Sequence, residues 1–535
     1  MTFINKVFSG IEKTELTVLG WFTAVFGVVM IRAFLENFVG LRPEASMTSN
    51  SQTLVHFFLF WVATMLAFTL VVHYFTRRDI VLVMKMSLFG MSAIFIAPAL
   101  EFLVTGGEGA QMSYLIVGSG AEIWSNFITF WQTSPAPGVT FGMRVEILFI
   151  LVGLFMYARY TGADYLRSFL TILGVYIVVF LSLVIPSIIL FNGSYGSVIL
   201  MKQSLFGHNF LHPDFQMNSV VSDFELYFDG VLSQVLYLAF IVLGLITAFR
   251  WNAKKLIAII KNSRPERVAH YFFALLFGIL LAYHEGVASS TFGHWLDFTT
   301  VIILFLSFYF AWMFSVGEND LVDLKSDSMT NSKRPLVVGA VSVTDVKSAN
   351  IIFLVLSLLG AYLVGPEALF MVMVFIGVYH IYSCPPLHFK RFAIANSFLI
   401  SLVTLSTVVA GFFTFNKDAE MSSFPSLWVI MIVVLFTLFL NIKDIKDIEG
   451  DKKFGIFTIP VLFGEKTGKR LIWLMMTVGL VIFPLVLDEA SFWLPSIIAS
   501  IASWFIIHHK PYNERYFFYL YLPYFLYFLY VYFFL

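Results

Sequence analysis

Two copies of one acidic pattern are the chemically informative feature of this chain. The pattern Asp-x2-Asp-x3-Asp occurs at Asp320, Asp323 and Asp327, and again at Asp444, Asp447 and Asp451, each time where a long apolar run ends. Carboxylates are costly near lipid, so six of them at two matched positions call for a cationic partner. A divalent cation that also carries phosphate oxygens is the obvious partner. The pattern therefore predicts an intramembrane enzyme that acts on a diphosphate.

Helical geometry places each set of acids on one stripe. At 100° per residue, Asn319, Asp323 and Asp327 share one face, and Asp447 and Asp451 make the same pair on the second helix. A single acidic cluster at a helix end is usually a solvated cap. Two clusters of identical spacing, each followed by basic residues, favour a metal site instead.

Basic loops accompany both motifs. Lys333 and Arg334 follow the first motif, and Lys390 and Arg391 end the segment YSCPPLHFKR. Such side chains are suited to binding diphosphate oxygens. Positive charge that anchors cytosolic loops explains any single lysine equally well.

Composition bounds the class of protein. The 535 residues are 59% hydrophobic and 12% charged, with a mean hydropathy of +0.86. This composition is typical of a polytopic membrane protein. The formal net charge of zero makes nucleic acid an unexpected partner. A single cysteine, Cys384, excludes an intramolecular disulfide and a cysteine-based metal cluster.

Apolar runs of membrane-spanning length predict about six helices in the first half and nine in the second. The predicted spans lie near residues 16–38, 53–75, 81–104, 144–162, 168–191, 232–250, 269–288, 297–317, 348–364, 367–384, 393–415, 424–442, 470–487, 490–508 and 515–534. Basic residues fall in alternate loops, which predicts a cytosolic N-terminus and an external C-terminus in the plasma membrane. Both acidic motifs then face the cytosol.

The longest basic segment predicts the domain organisation. We expect an N-terminal membrane domain at 1–250, a basic cytosolic linker at 251–267 and a second membrane domain at 268–535. No catalytic pattern stands out in the first domain, which could supply substrate, bind a partner or be a second enzyme. His208, His212 and Asp214 are interpreted as surface residues rather than a metal site, because Pro213 opposes a continuous helix.

Three segments together resemble the UbiA superfamily of intramembrane aromatic prenyltransferases. They are NDLVDLKSD with NSKRP, YSCPPLHFKR, and KDIKDIEGDKKFGIFTIPVLFG, and the resemblance covers roughly residues 264–535. It implies an all-α bundle of nine helices with a central cavity that opens to the cytosol and sideways to lipid. The second motif is similar to that of homogentisate prenyltransferases and archaeal digeranylgeranylglyceryl phosphate synthases. Lys446 departs from the proline often found at its position.

The resemblance also implies site residues. Metal ligands fall on Asn319, Asp323, Asp327, Asp444, Asp447 and Asp451, joined by Asp320 from the repeated pattern. Asp323 and Asp447 are the predicted catalytic residues. The diphosphate would be bound by basic and hydroxyl side chains, namely Lys333, Arg334, Tyr382, Lys390, Arg391 and Lys443. The implied reaction is Mg²⁺-dependent transfer of a polyprenyl group from its diphosphate to an aromatic carbon or a hydroxyl oxygen, with release of pyrophosphate.

Two other classes of function compete with this hypothesis. About fifteen spans with acidic residues would also fit a transporter of a phosphate-bearing or lipid-like substrate. Transporter sites usually lie near the bilayer midplane on broken helices, whereas these acids lie at cytosolic ends beside basic loops. A membrane scaffold with a degenerate site is disfavoured, because every expected acidic ligand is present.

Overall fold

The protein is helical throughout the part of the chain that its structure describes. The computed structural model describes residues 2–39, 51–106, 114–115, 119–131, 139–189, 220–288, 295–415 and 420–535. These residues form helices and no strand, and one isolated parallel bridge pairs Phe392 with Phe457. A helix satisfies its own backbone hydrogen bonds, which a lipid environment requires. The predicted all-α class is confirmed.

Fifteen of the described helical segments are long and apolar enough to cross a membrane. The first six end by Lys261 and the other nine begin at Pro265, as the apolar runs predict. The segments are Val18–Glu36, Ser51–Thr76, Ile80–Val104, Phe141–Tyr160, Tyr165–Ile188, Gly230–Lys261, Pro265–His284, Asp297–Val322, Val343–Val364, Pro366–Ser383, Ala395–Phe413, Ser426–Ile445, Glu465–Leu487, Ala490–His508 and Arg515–Phe534. The chain is therefore an integral membrane protein.

The chain divides into two compact units. Unit 1 comprises Met1–Ala253 with His294–Thr299, and unit 2 comprises Lys254–Gly293 with Thr300–Leu535. The division falls beside Asn252, whose extended backbone (φ −157°, ψ 88°) kinks a long helix. The basic segment at 251–267 is itself helical up to Lys261, and a new helix begins at Pro265, where proline suits the first turn.

Unit 1 contains nine α-helices among its described residues, of which the last extends into unit 2. They are α1 (Thr2–Glu12), α2 (Val18–Val39), α3 (Ser51–Thr76), α4 (Ile80–Met91), α5 (Ile96–Val104), α6 (Gly120–Ile128), α7 (Phe141–Tyr160), α8 (Tyr165–Ile189) and α9 (Val220–Lys261). Helix α3 packs against α8, and α7 packs against both α5 and α8. The short helices α1 and α6 lie outside the predicted spans.

A buried ion cluster lies inside unit 1. The Arg32 guanidinium, 2% exposed, bonds Glu36 Oε1 at 2.6 Å and Glu146 Oε2 at 3.0 Å. It also donates to the Ile94 carbonyl. Taking one charge of such a cluster away would leave the others buried and uncompensated, so the cluster ties α2 to α7. The histidines at 208 and 212 and Asp214 lie outside the described residues.

Unit 2 carries the remaining helices, of which α11 begins in unit 1. They are α10 (Pro265–His284), α11 (Trp295–Val322), α12 (Leu324–Thr330), α13 (Val343–Val364), α14 (Pro366–Ser383), α15 (Ala395–Phe413), α16 (Ser426–Phe439), α17 (Ile448–Phe454), α18 (Ile459–Phe463), α19 (Glu465–Leu487), α20 (Trp493–His508) and α21 (Arg515–Phe534). Helix α15 is the most buried of the spans and packs against α10, α14 and α16.

Two glycines set the closest helix contact in unit 2. A Cβ added at Gly278 of α10 would overlap the carbonyl oxygen of Val408 in α15. A Cβ added at Gly411 of α15 would overlap the carbonyl oxygen of Leu275 in α10. Small residues allow such backbone-to-backbone approach in membranes, where close packing contributes much of helix association. The contact fixes α10 against the centre of the unit.

We predict that Gly278→Ala destabilises the protein, because the added methyl group meets backbone that cannot rotate away. Overpacking of this kind costs about 1–3 kcal/mol and can cost more. The matched control is Gly377→Ala in α14, where nothing lies within 4 Å of the added Cβ. Thermal unfolding in detergent should show a lower Tm for Gly278→Ala than for wild type, and an unchanged Tm for the control. Equal Tm values would contradict the proposed contact.

Candidate active site

Both acidic motifs lie where a spanning helix ends and a seven-residue helix begins. The first motif spans the junction of α11 and α12, with Asp323 at the junction, and the second places Asp447 just before α17. Before Asp447, residues Leu440–Ile445 form a 3₁₀ turn rather than α-helix. The expectation of one continuous helical stripe at each motif is therefore corrected. Backbone bonds from Asp327 to Asp323 and from Asp451 to Asp447, both 2.8 Å, still keep those pairs one turn apart.

Cations neutralise the first motif. The Lys390 ammonium bonds both carboxylate oxygens of Asp323 and lies 3.5 Å from the amide oxygen of Asn319. The Arg334 guanidinium bridges Asp320, at 2.7 Å, and Asp327. The predicted diphosphate ligands Lys390 and Arg334 thus lie directly on the predicted metal ligands.

Two residues outside the predicted set also hold Asp320. Arg264 Nη2 donates to Asp320 Oδ1 at 3.2 Å, and Asn262 Nδ2 donates to Asp320 Oδ2 at 2.7 Å. Both belong to the short segment between α9 and α10. Asp320 is 3% exposed, and these contacts give it a structural role beside the metal role predicted for it. The segment SRPER shows that Arg264 is basic, but the sequence does not show that it pairs with Asp320, 56 residues away, because the tertiary fold brings the two together.

The second motif is paired with neutral groups. Asn396 Nδ2 donates to Asp444 Oδ2 at 3.1 Å, and Thr458 Oγ1 donates to Asp451 Oδ2 at 3.3 Å. Among the described residues, the Asp447 side chain makes no hydrogen bond or ion pair. The motif therefore keeps carboxylate oxygens available for a cation, whereas those of the first motif are occupied by side-chain cations.

The two motifs lie close together. Helices α12 and α17, which follow them, contact each other, and Lys453 Nζ lies 3.2 Å from Met329 Sδ.

The remaining predicted diphosphate-binding residues divide into two groups. Lys443 Nζ donates to the Tyr382 hydroxyl at 3.2 Å and lies 5.0 Å from the centre of its ring. The side chains of Lys333 and Arg391 are exposed, away from these contacts.

Burial and mutual repulsion make the acids reluctant to ionise. Burial raises the pKa of Asp327, although Arg334 opposes the shift. Burial also raises the pKa of Asp447. For Asp451, burial and then the charges of Asp444 and Asp447 raise the pKa to about 7. A cation bound among them would relieve both penalties.

A cavity of about 600 Å³ lies inside unit 2 beside the basic residues. Its polar end includes Arg264, Arg267, Arg334 and Lys443. Its apolar walls come from α10, α15, α16, α19, α20 and α21, with the aromatic side chains Phe277, Trp428, Phe436, Phe483, Tyr521, Phe525 and Phe528. The volume and the apolar lining are those of a small-molecule site. Sequence reasoning did not identify Arg267, which lines this cavity and makes no ion pair among the described residues.

These features define a class: an intramembrane enzyme whose polar, cation-rich end receives an anionic group and whose interior receives an apolar chain. Residues 271–529 match the UbiA prenyltransferase family. The family assignment, and with it the class of intramembrane prenyltransferases, therefore applies to this segment within unit 2, as its motifs predict.

Solved structures of similar proteins align with about half of this chain. A UbiA homologue from Archaeoglobus fulgidus, bound to DMAPP and Mg²⁺, is 22% identical, with 50% of this chain and 96% of that chain covered and a TM-score of 0.40. The apo UbiA homologue from Aeropyrum pernix K1 is 20% identical, with coverages of 48% and 95% and a TM-score of 0.39. A digeranylgeranylglyceryl phosphate synthase structure is 19% identical, with coverages of 51% and 96% and a TM-score of 0.36. No curated relative matches the chain.

We predict that Asp451→Asn stabilises the cation-free protein at high pH. The folded-state pKa of about 7 lies above the ordinary value near 4, so ionised Asp451 opposes folding. The gain in Tm should be full above pH 7 and should shrink as the pH falls from 7 toward 4, because wild-type Asp451 then becomes neutral. Each kcal/mol of relief corresponds to roughly 2–4 °C for a unit of this size.

The measurement is thermal unfolding in EDTA at pH 8.5 and pH 5.5. Glu449→Gln is the matched control, because Glu449 is an exposed carboxylate in the same segment. A Tm gain that is absent at pH 8.5, or one that grows toward pH 5.5, would show that Asp451 does not carry this repulsion.

Proposed function

We propose that unit 2 transfers a polyprenyl group from its diphosphate to an aromatic or hydroxyl acceptor, using Mg²⁺ held by the two acidic motifs. The proposal rests on the occurrence of two carboxylate motifs, a cluster of cations and an aromatic-walled cavity together in unit 2. Neither motif alone would distinguish a diphosphate site from a helix cap.

The donor set suits Mg²⁺. Asn319, Asp323, Asp327, Asp444, Asp447 and Asp451 offer only oxygen ligands, which hard divalent cations prefer. The half-buried Asp447 side chain, which makes no hydrogen bond or ion pair among the described residues, is the ligand position most open to a cation. When bound, Mg²⁺ would supply charge stabilisation for the pyrophosphate leaving group.

Counter-ion exchange follows from the contacts at the first motif. Lys390 and Arg334 pair with Asp323, Asp320 and Asp327 in this structure. A diphosphate brings its own negative charge, so Lys390 and Arg334 would pair with its phosphate oxygens and leave the carboxylates of Asp323, Asp320 and Asp327 to hold Mg²⁺. The exchange keeps the low-dielectric site close to neutral at each stage.

The cavity supports an apolar donor chain. Allylic C–O cleavage leaves a cation at the first carbon of the chain, which water would capture. Side chains from α10, α16, α19 and α21 form apolar walls that exclude water from the chain. Tyr271 and His270, the latter bonded to Thr404 at 3.0 Å, also line the cavity. The acceptor atom must reach the same region to attack the cation.

The polar end favours an anionic acceptor. Seven cationic side chains line the cavity, namely Lys261, Arg264, Arg267, Arg334, Lys443, Lys446 and Arg515, against the two acids Glu266 and Glu514. Glu514 pairs with Lys446, and Glu266 pairs with Arg515. Arg267 and Lys443 remain in excess of what those acids neutralise. A carboxylate or phosphate on the acceptor would supply the balancing charge.

The proposed orientation places this site at the cytosolic face of the plasma membrane. Lys333, Lys390 and Lys452 occur in three different connections between the spans of unit 2, near the acidic motifs in sequence or in space. Concentration of lysine and arginine in short loops on one side is the signature of the cytosolic face.

We predict that Asp323→Asn and Asp447→Asn each lower Mg²⁺-dependent pyrophosphate release roughly a hundredfold or more, because each removes a carboxylate ligand where the leaving group's charge develops. The assay would use purified full-length protein with geranylgeranyl and longer polyprenyl diphosphates. The acceptors would be hydroxybenzoate, homogentisate, dihydroxynaphthoate and geranylgeranylglyceryl phosphate.

The control for this pair is Glu449→Gln, which removes an exposed carboxylate two residues from Asp447 and should retain near wild-type turnover. Unchanged turnover in either aspartate variant would rule out the metal assignment. Binding of a polyprenyl diphosphate without any pyrophosphate release, even with intact motifs, would favour transport.

We also predict that Lys390→Ala has opposite effects on the affinity for Mg²⁺ and on the affinity for the diphosphate. Without the ammonium, Asp323 is free to bind metal, so Mg²⁺ affinity should rise several-fold, while the KM for the diphosphate should rise about tenfold. Mg²⁺ affinity can be measured by displacement of Mn²⁺ followed by electron paramagnetic resonance. Lys452→Ala, an exposed cation beside the second motif, is the control. A fall in both affinities would contradict counter-ion exchange.

A further inference from the structure

Three side chains of different chemistry converge beside the first motif. Glu318, His380 and Cys384 bring a carboxylate oxygen, an imidazole nitrogen and a thiol sulfur within 4.8 Å of one another. Glu318 precedes Asn319 on α11, whereas His380 and Cys384 lie one turn apart at the end of α14. Prenyl transfer, as proposed above, uses none of the three.

The backbone and a neighbouring amide hold this arrangement in place. The Cys384 N–H donates to the His380 carbonyl at 2.7 Å, which sets the two side chains one above the other. Asn350 of α13 donates to Glu318 Oε1 at 2.9 Å and orients the carboxylate. Gly317 leaves room for that amide, because a Cβ at this position would overlap Asn350. Hydrogen bonds that orient a ligand in this way raise metal affinity.

The three donors differ in accessibility. Cys384 is 5% exposed, Glu318 is half-buried and His380 is exposed. An ion could therefore reach the thiol from the side of His380 and keep one coordination position for water.

A second observation concerns the loop that follows Cys384. His388 donates its backbone N–H to the Cys384 carbonyl at 2.9 Å, and its buried Nε2 has no hydrogen-bond partner. Burial and the charges of Lys390 and Arg391 lower the pKa of His388 to about 4, so the imidazole is neutral. A buried, unsatisfied nitrogen is uncommon, so the loop that follows Cys384 holds one polar group that the described protein groups do not satisfy.

The geometry points to a binding site for a thiophilic divalent cation of the zinc class at Glu318, His380 and Cys384, separate from the acidic motifs. One sulfur, one nitrogen and one oxygen donor form a set that Zn²⁺ accepts, whereas Mg²⁺ prefers oxygen alone. The thiol releases its proton to solvent as the thiolate binds the ion.

Such an ion would act on the neighbouring diphosphate site. The hydroxyl of Ser383, which precedes Cys384, donates to the Asn319 amide oxygen at 3.2 Å. Cross-linking α11 to α14 through Glu318 and Cys384 would fix Asn319 from both sides. The site is therefore placed to modulate catalysis without contacting the substrate.

The test is titration of full-length protein in detergent with Co²⁺ in the presence of excess Mg²⁺. We expect one Co²⁺ per chain and a thiolate-to-cobalt charge-transfer band that stoichiometric Zn²⁺ removes. The chain has a single cysteine, so the band reports Cys384 alone. Cys384→Ser should abolish the band, and His380→Gln should weaken Co²⁺ binding about tenfold or more.

Two further variants separate this site from the Mg²⁺ site and from loss of fold. Asn350→Ala should weaken Co²⁺ binding, because Glu318 loses its orienting bond, while Asp451→Asn should leave the band unchanged. Each variant is first checked for wild-type elution and Tm. Absence of the band in folded wild-type protein, or His380→Gln binding that equals wild type, would overturn the proposal. The titration measures no turnover, so its outcome is independent of the prenyl-transfer assay.

Discussion

The requirement that buried charge be compensated organises unit 2. Six carboxylates lie at the ends of helices that cross lipid, and the groups bonded to them limit the free-energy cost of removing these charges from water. The first motif is paired with Lys390, Arg334 and Arg264, whereas the second is stabilised by amide and hydroxyl groups and by partial loss of ionisation. This division, side-chain cations on one motif and neutral groups on the other, is the arrangement on which the proposed counter-ion exchange rests. The site's chemistry and its electrostatic stability therefore have one origin.

The spans and the identity of the acidic motifs could be predicted because both depend on local sequence. A run of apolar residues fixes a spanning helix by length alone. The interruptions at Asp323 and Asp447 could not be predicted, since the same residues would continue a helical stripe in isolation. Contacts between residues far apart in sequence were also beyond reach. Neither the bond from Asn262 to Asp320 nor the approach of Gly278 to Val408 leaves a periodic signal.

The ion cluster in unit 1 shows the opposite use of charge. Arg32, Glu36 and Glu146 are all nearly fully buried, and the Arg32 guanidinium bonds both glutamates, so it is already paired with protein groups. At the first motif, by contrast, Arg264 and Arg334 pair with Asp320 and also line the cavity, where a ligand could reach them. A buried ion pair and a binding site can thus contain the same residue types and differ in whether a ligand can reach them. Residue types alone could not separate the two.

The glycine contact between α10 and α15 has a mechanical consequence for the cavity. Both helices line it, and their interlocked backbones make that wall rigid. Helix α21 also lines the cavity and contacts α10 and α20, with large aromatic rings such as Phe525 and Phe528 packed against Phe277 of α10. Protein interiors are close-packed, so a wall in which backbones interlock offers little room for adjustment. The cavity therefore has one wall built on a backbone-to-backbone contact and an opposing contribution from aromatic side chains of α21.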